Sequence, residues 1–209
     1  MLGYLAGSLS PSVFLGRWRK GLDVRNHGSG NAGTTNAFRV LGTRLGVIVL
    51  IADIAKGAVP VILARELTSP VTTVAVALAC VIGHNYSVFL RGKGGKGVAT
   101  GAGVTIAMMP LPAAVVIGVF IVVLLISRMV SVASMTSAIL LPVFAVVFHQ
   151  PVAYIAVSCA LALLVLYGHR TNMLRLAKHS ERRVNFPWSS HRGGQSADDG
   201  GASDRGEAR

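Results

Sequence analysis

The stretch HGSGNAGTTN, residues 27–36, interrupts an otherwise very apolar sequence with a run of glycine, serine, threonine and asparagine. Glycine tolerates positive φ and adds no side-chain bulk, so successive glycines allow backbone N–H groups to converge on an anion. Serine and threonine hydroxyls and asparagine amides add further donors. Arg25 and Arg39 flank the stretch. The pattern predicts a loop that binds a phosphate group.

A second glycine-rich loop, RGKGGKG at residues 91–97, repeats this chemistry with two lysines. Lys93 and Lys96 carry flexible ammonium groups that suit phosphate, although anchoring to the membrane surface is an alternative role. Lys96 is followed by Gly97 rather than by Ser or Thr, so the loop is not a Walker A nucleotide site. Two such loops predict chemistry on phosphorylated substrates.

The composition predicts an all-α polytopic membrane protein. Of 209 residues, 52% are hydrophobic and 13% are charged, and the mean hydropathy is +0.60. Soluble domains usually carry about 25% charged residues. The formal charge of +12 would also suit a nucleic-acid-binding protein, but the basic residues lie between apolar segments. We therefore expect the lipid bilayer and anionic substrates as partners, and no nucleic acid.

The apolar segments indicate about seven transmembrane helices, since a helix needs roughly 20 residues to span the bilayer. Residues 98–127 are interrupted by the sequence MPLP at 109–112, which predicts two short helices joined at a proline turn. One transmembrane domain would cover residues 1–188, and a disordered polar tail would follow at 189–209. The segments lie at 2–16, 45–64, 70–90, 98–110, 111–127, 129–148 and 151–168.

The basic residues predict the orientation of these helices. If the N-terminus lies outside, all but two of the 20 lysines and arginines fall on the inner side. The exceptions are Lys56, which lies within an apolar segment, and Arg65. This asymmetry follows the positive-inside rule and predicts an N-out, C-in protein with both glycine-rich loops in the cytoplasm.

Three ionisable residues lie within or beside apolar segments. Asp53 and Lys56 are three positions apart, so they share a helix face and can pair. Charges within a membrane are costly and often functional, but a structural ion pair is an equal alternative. His84 is either a general base or a hydrogen-bonding group within the bundle. The histidines, cysteines and carboxylates show no spacing typical of a zinc site, so we expect no metal.

Two further polar clusters follow apolar segments near the C-terminal end. The first is SRMVS at residues 127–131, and the second is YGHRTN at residues 167–172. Each alone could be an interface anchor. Together with the two glycine-rich loops they lie on one predicted membrane face, which indicates that four clusters converge on an anion-binding site.

These motifs resemble, in order and over about residues 3–183, the bacterial membrane acyl-phosphate:glycerol-3-phosphate acyltransferases. The departures are Ser10, a short N-terminus and an additional polar tail. The motifs that carry the resemblance are GSLSP (7–11), DVR (23–25), HGSGNAGTTN (27–36), DIAKG (53–57), GH (83–84), GKGGKGVAT (92–100) and HRTN (169–172).

The resemblance implies a seven-helix enzyme of the bacterial inner membrane with a cytoplasmic active site. It would transfer an acyl group from acyl phosphate to the sn-1 hydroxyl of glycerol-3-phosphate, giving lysophosphatidic acid and inorganic phosphate for phospholipid biosynthesis. It would need no cofactor and no metal. The enzyme that forms the acyl phosphate is a candidate partner.

The resemblance also assigns residues. Ser29, Asn31, Gly33, Thr35 and the Lys96 loop would hold the donor phosphate, and Arg39, Lys96, Ser131 and Asn172 would hold glycerol-3-phosphate. A substrate phosphate oxygen, rather than a side chain, would act as the base. We expect Ser29 and Lys96 in catalytic roles and Asp53, Lys56 and His84 in supporting roles. The expected substrate-binding residues are Asn31, Gly33, Thr35, Arg39, Gly94, Gly95, Ser131, His169 and Asn172.

Two other classes of protein fit the sequence less well. Soluble-type acyltransferases carry a histidine and an aspartate separated by four residues, and none of the six histidines has an aspartate at that spacing. An organic-phosphate transporter would more often place its site near the membrane midplane and show an internal repeat. Here the polar clusters share one face and no repeat is evident, so the acyltransferase is favoured.

Overall fold

The computed structural model describes residues 1–184, and all regular structure in that range is helical. The polar tail expected at residues 189–209 lies outside the described residues. The helices are α1 (Leu2–Ser8), α2 (Pro11–Lys20), α3 (Thr34–Leu41), α4 (Thr43–Leu67), α5 (Pro70–Asn85), α6 (Val98–Met108), α7 (Pro110–Ser127), α8 (Val130–Val147), α9 (Val152–Gly168) and α10 (Arg170–Ala177), with short 3-10 turns at Val24–Asn26 and Val88–Leu90.

The first apolar segment differs from the single helix expected over residues 2–16. It forms two helices, α1 and α2, separated at Leu9 and Ser10. A residue before proline is pushed away from helical geometry, and Ser10, which precedes Pro11, has φ −118° and ψ 90°. The break leaves the Leu9 carbonyl to accept a 2.5 Å hydrogen bond from Lys56 Nζ.

The proline turn expected at residues 109–112 is confirmed. α6 ends at Met108, and Pro110 occupies the first position of α7, where its missing N–H costs no helical hydrogen bond. α6 has 11 residues and is too short to span a bilayer by itself. Its first residue directly follows the second glycine-rich loop.

Close contacts between helix backbones hold the bundle together. A methyl group at Gly57 of α4 would meet the Thr100 carbonyl of α6, and one at Gly103 of α6 would meet the Ile54 carbonyl of α4. α1 lies equally close to α5, because a methyl group at Gly7 would meet the backbone of Cys80. Small residues allow such approach in membrane proteins, where packing rather than water exclusion drives helix association.

Among the described residues, four helices are long and apolar enough to cross a membrane: α4, α5 with its following turn to Leu90, α7 and α8. α9 and α10, bent by 56° at their junction, make a fifth if they count as one span. The all-helical membrane architecture is therefore confirmed. The count of seven spans stays a prediction, because α1, α2 and α6 are each too short to cross the bilayer alone. The N-out orientation also stays a prediction.

A small apolar cluster holds the first glycine-rich loop against the bundle. Val13 of α2, Val24 of the first 3-10 turn, and Ala37 and Leu41 of α3 pack with Val49 of α4. All five side chains are buried. The amphipathic helix α3 thus lies on the end of α4, and the loop that precedes it is fixed at one end of the bundle.

Candidate active site

Asn36 organises the first glycine-rich loop from its centre. Its side chain is buried, and its Nδ2 donates to the carbonyls of Val24 (2.8 Å), Asn31 (2.9 Å) and His27 (3.1 Å). Its Oδ1 accepts from the Ser29 N–H at 2.8 Å. One amide therefore ties four points of the loop together. Asn36 is the last residue of the motif at 27–36, and the sequence pattern alone did not indicate this separate role.

The predicted donor-phosphate residues divide into two groups. In the first group, Asn31 Oδ1 accepts a 2.8 Å hydrogen bond from the Gly33 N–H, so these two residues shape the loop. The hydroxyls of Ser29 and Thr35 make no hydrogen bond within residues 1–184, and Ser29 is exposed. These two hydroxyls are the free donors that the loop presents.

The second glycine-rich loop folds back over the C-terminal end of α5. The N–H groups of Gly94 and Gly95 donate to the carbonyls of Asn85 (3.2 Å) and His84 (2.9 Å). A methyl group at Gly95 would meet Nε2 of His84, so only glycine fits above that ring. The N–H groups of Gly94 and Gly95 are therefore already engaged within the protein, and a role of these two residues in substrate binding stays a prediction.

The two glycine-rich loops meet, and each runs into a helix. A methyl group at Gly33 would lie 3.9 Å from Cα of Gly95. Gly33 caps α3, and Gly97, at φ 80°, caps α6. The first N–H groups of a helix lack partners within the helix and carry partial positive charge. The N-termini of α3 and α6 are therefore candidate anion-binding donors beside the engaged N–H groups of Gly94 and Gly95.

A buried polar network joins Lys96 to the C-terminal end of the bundle. Lys96 Nζ donates to Asn172 Oδ1, and Asn172 Nδ2 donates to Glu181 Oε1 at 2.7 Å. Ser131 Oγ donates to the same carboxylate oxygen at 2.8 Å. Three residues predicted separately, from the second loop, α8 and α10, are therefore brought together.

Glu181 and Arg175 complete this network and were missed by the sequence analysis. Arg175 Nε donates to Glu181 Oε2 at 2.7 Å. Burial raises the pKa of Glu181, but hydrogen bonds from Asn172, Arg175 and Ser131 outweigh it and lower the pKa below its usual value. Glu181 therefore stays charged near neutral pH. The available signal was its isolation, as a single carboxylate in the basic segment at residues 170–183.

Lys96 lies in a positively charged neighbourhood. Burial, with smaller contributions from Arg175 and Arg39, lowers the pKa of Lys96 to about 8 against the opposing effect of Glu181. Its backbone packs against the end of α9, where a methyl group at Gly168 would lie 3.4 Å from Lys96 Cα. Arg39 is exposed at the rim of this cluster. The site combines several cations with only one carboxylate, which favours an anionic ligand.

His169 is buried at the junction of α9 and α10. Its Nδ1 lies 2.8 Å from the Val165 carbonyl. A carbonyl only accepts, so Nδ1 carries the hydrogen and Nε2 is free to accept one. The ring orientation is thus fixed by the backbone of α9, and the residue supports the turn that carries Asn172.

The predicted pair of Asp53 and Lys56 is confirmed, with Lys56 Nζ 2.8 Å from Asp53 Oδ1. Asp53 Oδ2 also accepts from Thr34 Oγ1 at 2.8 Å, which ties α4 to the first residue of α3. His84 Nδ1 lies 3.7 Å from Asp53 Oδ1. These contacts connect the first residue of α3, the break between α1 and α2, and His84, which lies beneath Gly95 of the second loop. They are consistent with the predicted supporting roles of Asp53, Lys56 and His84.

No group of three or more His, Cys, Asp or Glu side chains that could hold a metal lies within residues 1–184. Lys93, which the sequence presented beside Lys96, lines a different cavity. The site combines a cationic cluster, free hydroxyls and two helix N-termini. This chemistry suits the binding and polarisation of phosphorylated groups by positioning and electrostatic stabilisation.

The fold and the site define an all-helical membrane protein with two glycine-rich loops and a cationic cluster at one end of its bundle. A sequence profile of the glycerol-3-phosphate acyltransferase family matches residues 1–179. The match spans both glycine-rich loops and the Asn172 turn, and the chain belongs to this family.

Individual relatives agree with this assignment. The glycerol-3-phosphate acyltransferase of Myxococcus xanthus is 45% identical over 185 residues, which cover 88% of this chain and 96% of the relative. That of Fusobacterium nucleatum is 38% identical over 187 residues, covering 89% and 96%.

Two crystal structures of the integral membrane glycerol 3-phosphate acyltransferase PlsY share the fold. Its glycerol 3-phosphate form superposes with a TM-score of 0.85 at 36% identity, covering 91% of this chain and 96% of that protein. Its lysophosphatidic acid form has a TM-score of 0.82 at 35% identity, covering 88% and 92%.

Proposed function

We propose that this protein transfers a fatty acyl group from acyl phosphate to the sn-1 hydroxyl of glycerol-3-phosphate, releasing lysophosphatidic acid and inorganic phosphate. The observation that carries the proposal is the network of Lys96, Asn172, Glu181 and Ser131 beside the two joined glycine-rich loops. Its positive charge supports an anion site for one phosphate, and the free hydroxyls of the first loop support a site for the other. The names of the relatives support glycerol-3-phosphate as the acyl acceptor. The motif resemblance supports acyl phosphate as the acyl donor.

The acceptor site is formed by the network. Lys96, Arg39 and Arg175 supply positive charge for the phosphate of glycerol-3-phosphate. Glu181 repels that phosphate but can accept hydrogen bonds from hydroxyls. Arg175 is paired with Glu181, so the phosphate would lie toward Lys96 and Arg39 and a glycerol hydroxyl toward Glu181. Glu181 also holds Asn172 and Ser131.

The donor site is formed by the two joined loops. The hydroxyls of Ser29 and Thr35 and the N-termini of α3 and α6 would hold the acyl phosphate, with Asn31 and Gly33 shaping the loop. Negative charge develops on the carbonyl oxygen and on the departing phosphate during transfer. Donors fixed before the reaction stabilise this charge without reorganisation, which is commonly the largest catalytic contribution.

The reaction needs no side-chain base in this proposal. The sn-1 oxygen attacks the acyl carbon, its proton passes to an oxygen of the donor phosphate, and the bond between the acyl carbon and the phosphate oxygen breaks. His84 lies beneath Gly95, and His169 donates to the Val165 carbonyl, which leaves its Nε2 free. We assign the proton to a phosphate oxygen of the donor, as the family resemblance implies.

We further propose a seven-span, N-out protein of the bacterial inner membrane with this site in the cytoplasm. The distribution of lysines and arginines supports that orientation. The enzyme that forms the acyl phosphate would then deliver it at the same face.

The test is a direct assay of purified protein with palmitoyl phosphate and glycerol-3-phosphate. Lysophosphatidic acid should form, and EDTA should leave the rate unchanged. Acyl-CoA as the sole donor should give no product. Uptake of labelled glycerol-3-phosphate into sealed proteoliposomes, without added donor, measures the transporter alternative. Uptake without product formation would overturn the proposed function.

A further inference from the structure

A basic cavity lies apart from the Lys96 network, between the end of α2 and the turn after α5. Its volume is about 700 Å³, and its charged walls are Arg17, Arg25, Arg91 and Lys93. None of these four side chains contacts Lys96, Asn172 or Glu181 in the described structure. The cavity is therefore a separate candidate binding site.

The cavity carries excess positive charge. Asp23 pairs with both Arg17 (2.9 Å) and Arg25 (2.7 Å). Arg25 also donates to the Leu90 carbonyl at 3.4 Å. Arg91 and Lys93 make no side-chain hydrogen bond or ion pair within residues 1–184. Asp23 thus neutralises part of the charge of Arg17 and Arg25, and Arg91 and Lys93 are available to a ligand.

An apolar groove of about 500 Å³ continues from the cavity and shares Arg17, Phe89 and Leu90 with it. Its exposed walls include Phe14 and Trp18 of α2. The Arg19 guanidinium lies 4.2 Å over the Trp18 ring. Tryptophan beside basic residues at a helix end is typical of the membrane interface. The cavity therefore lies at headgroup level, and the groove lies beside it for a hydrocarbon chain.

We propose that the cavity and groove together bind an anionic phospholipid of the membrane, with its phosphate among Arg17, Arg91 and Lys93 and one acyl chain along Phe14 and Trp18. A free phosphate would leave the exposed apolar groove unused, and an uncharged lipid would leave the two free cations unpaired. Gly30, from the first glycine-rich loop, forms part of the cavity wall. A bound lipid would therefore brace the loop that carries Ser29.

Fluorescence quenching of Trp18 tests this proposal. The chain has two tryptophans, so a Trp188→Phe background leaves Trp18 alone. The protein is reconstituted in phosphatidylcholine nanodiscs containing a small fraction of chain-labelled quencher lipid, either phosphatidylglycerol or phosphatidylcholine. The test variant is Arg91→Gln/Lys93→Gln, and the control is Arg44→Gln/Lys178→Gln, which removes the same charge from exposed positions elsewhere.

Labelled phosphatidylglycerol should quench Trp18 more strongly than labelled phosphatidylcholine. The test variant should lose about tenfold in apparent affinity, since each cation near an anionic surface contributes several-fold. The control should keep the preference, and added salt should reduce it. Equal quenching by both lipids, or an unchanged preference in the test variant, would overturn the proposal.

The same quenching assay distinguishes the lipid from the acyl-phosphate donor. If the cavity binds a membrane lipid, a non-hydrolysable acyl phosphonate leaves the quenching of Trp18 by labelled phosphatidylglycerol unchanged. If instead the phosphonate displaces the labelled lipid, the cavity is a donor site and the lipid proposal is wrong. The proposed acyl transfer survives either result.

Discussion

At the scale of single residues, the candidate site depends on a few side chains that each satisfy several partners. Asn36 holds four points of the first loop, and Glu181 holds three donors. Removing one partner of a buried polar network leaves the others unpaired, which costs more than the lost bond itself. The functional effect of a substitution in this network therefore depends on which polar groups it leaves unpaired.

Lys96→Ala should lower kcat/KM by more than tenfold. The substitution removes a charge-assisted hydrogen bond to phosphate, worth about 1.5–3 kcal/mol. Lys96→Arg should restore only part of the activity, because the planar guanidinium directs its donors differently. Lys20→Ala, which removes an exposed lysine at the end of α2, serves as the control. Near-normal turnover in a folded Lys96→Ala protein would show that this lysine only anchors the chain.

Glu181→Gln should raise the KM for glycerol-3-phosphate about tenfold, through loss of a charge-assisted bond to the substrate hydroxyl. It should also strengthen competitive inhibition by inorganic phosphate, because the charge that repels a misplaced phosphate is gone. Glu66→Gln, at an exposed carboxylate, is the matched control. A purely structural role for Glu181 would lower thermal stability without changing the ratio of the two phosphate affinities.

The pH dependence of kcat/KM should show a falling limb near pH 8. The pKa of Lys96 is lowered to about 8, so its ammonium loses the proton as pH rises through that value, and phosphate binding weakens. Glycerol-3-phosphate is already a dianion there, since its second pKa lies near 6. Lys96→Arg should remove the limb, because arginine stays charged. A wild-type profile that remains flat well above pH 8 would contradict the assignment.

At the scale of elements, the glycine-rich loops show what sequence could and could not predict. Their position after apolar helices, the proline turn before α7 and the Asp53–Lys56 pair all follow from local patterns. The engagement of the Gly94 and Gly95 N–H groups does not, because it depends on how the loop folds onto the end of α5. Glu181 was missed for the same reason: its partners come from α8 and α10.

Gly95→Ala should disturb the second loop far more than Gly101→Ala. A methyl group at Gly95 would collide with the His84 ring, whereas one at Gly101 of α6 would meet no atom within 4 Å. The collision displaces the loop that carries Lys96, so activity should fall by more than tenfold and the melting temperature should drop. Gly101→Ala should leave both unchanged or raise the stability slightly, as alanine favours a helix. Equal behaviour of the two variants would show that the loop tolerates movement.

At the scale of the whole molecule, the orientation in the membrane decides which compartment supplies the substrates. The two ends of α4 offer a direct measurement, since Arg44 lies in its first turn and Ser69 follows its last residue, and both are exposed. In a background with Cys80 and Cys159 replaced by alanine, Ser69→Cys should react with an impermeant thiol reagent in intact cells. Arg44→Cys should react only after permeabilisation. The reverse pattern would place the network on the outer face, where no cytoplasmic enzyme could deliver acyl phosphate, and would refute the proposed delivery of the donor.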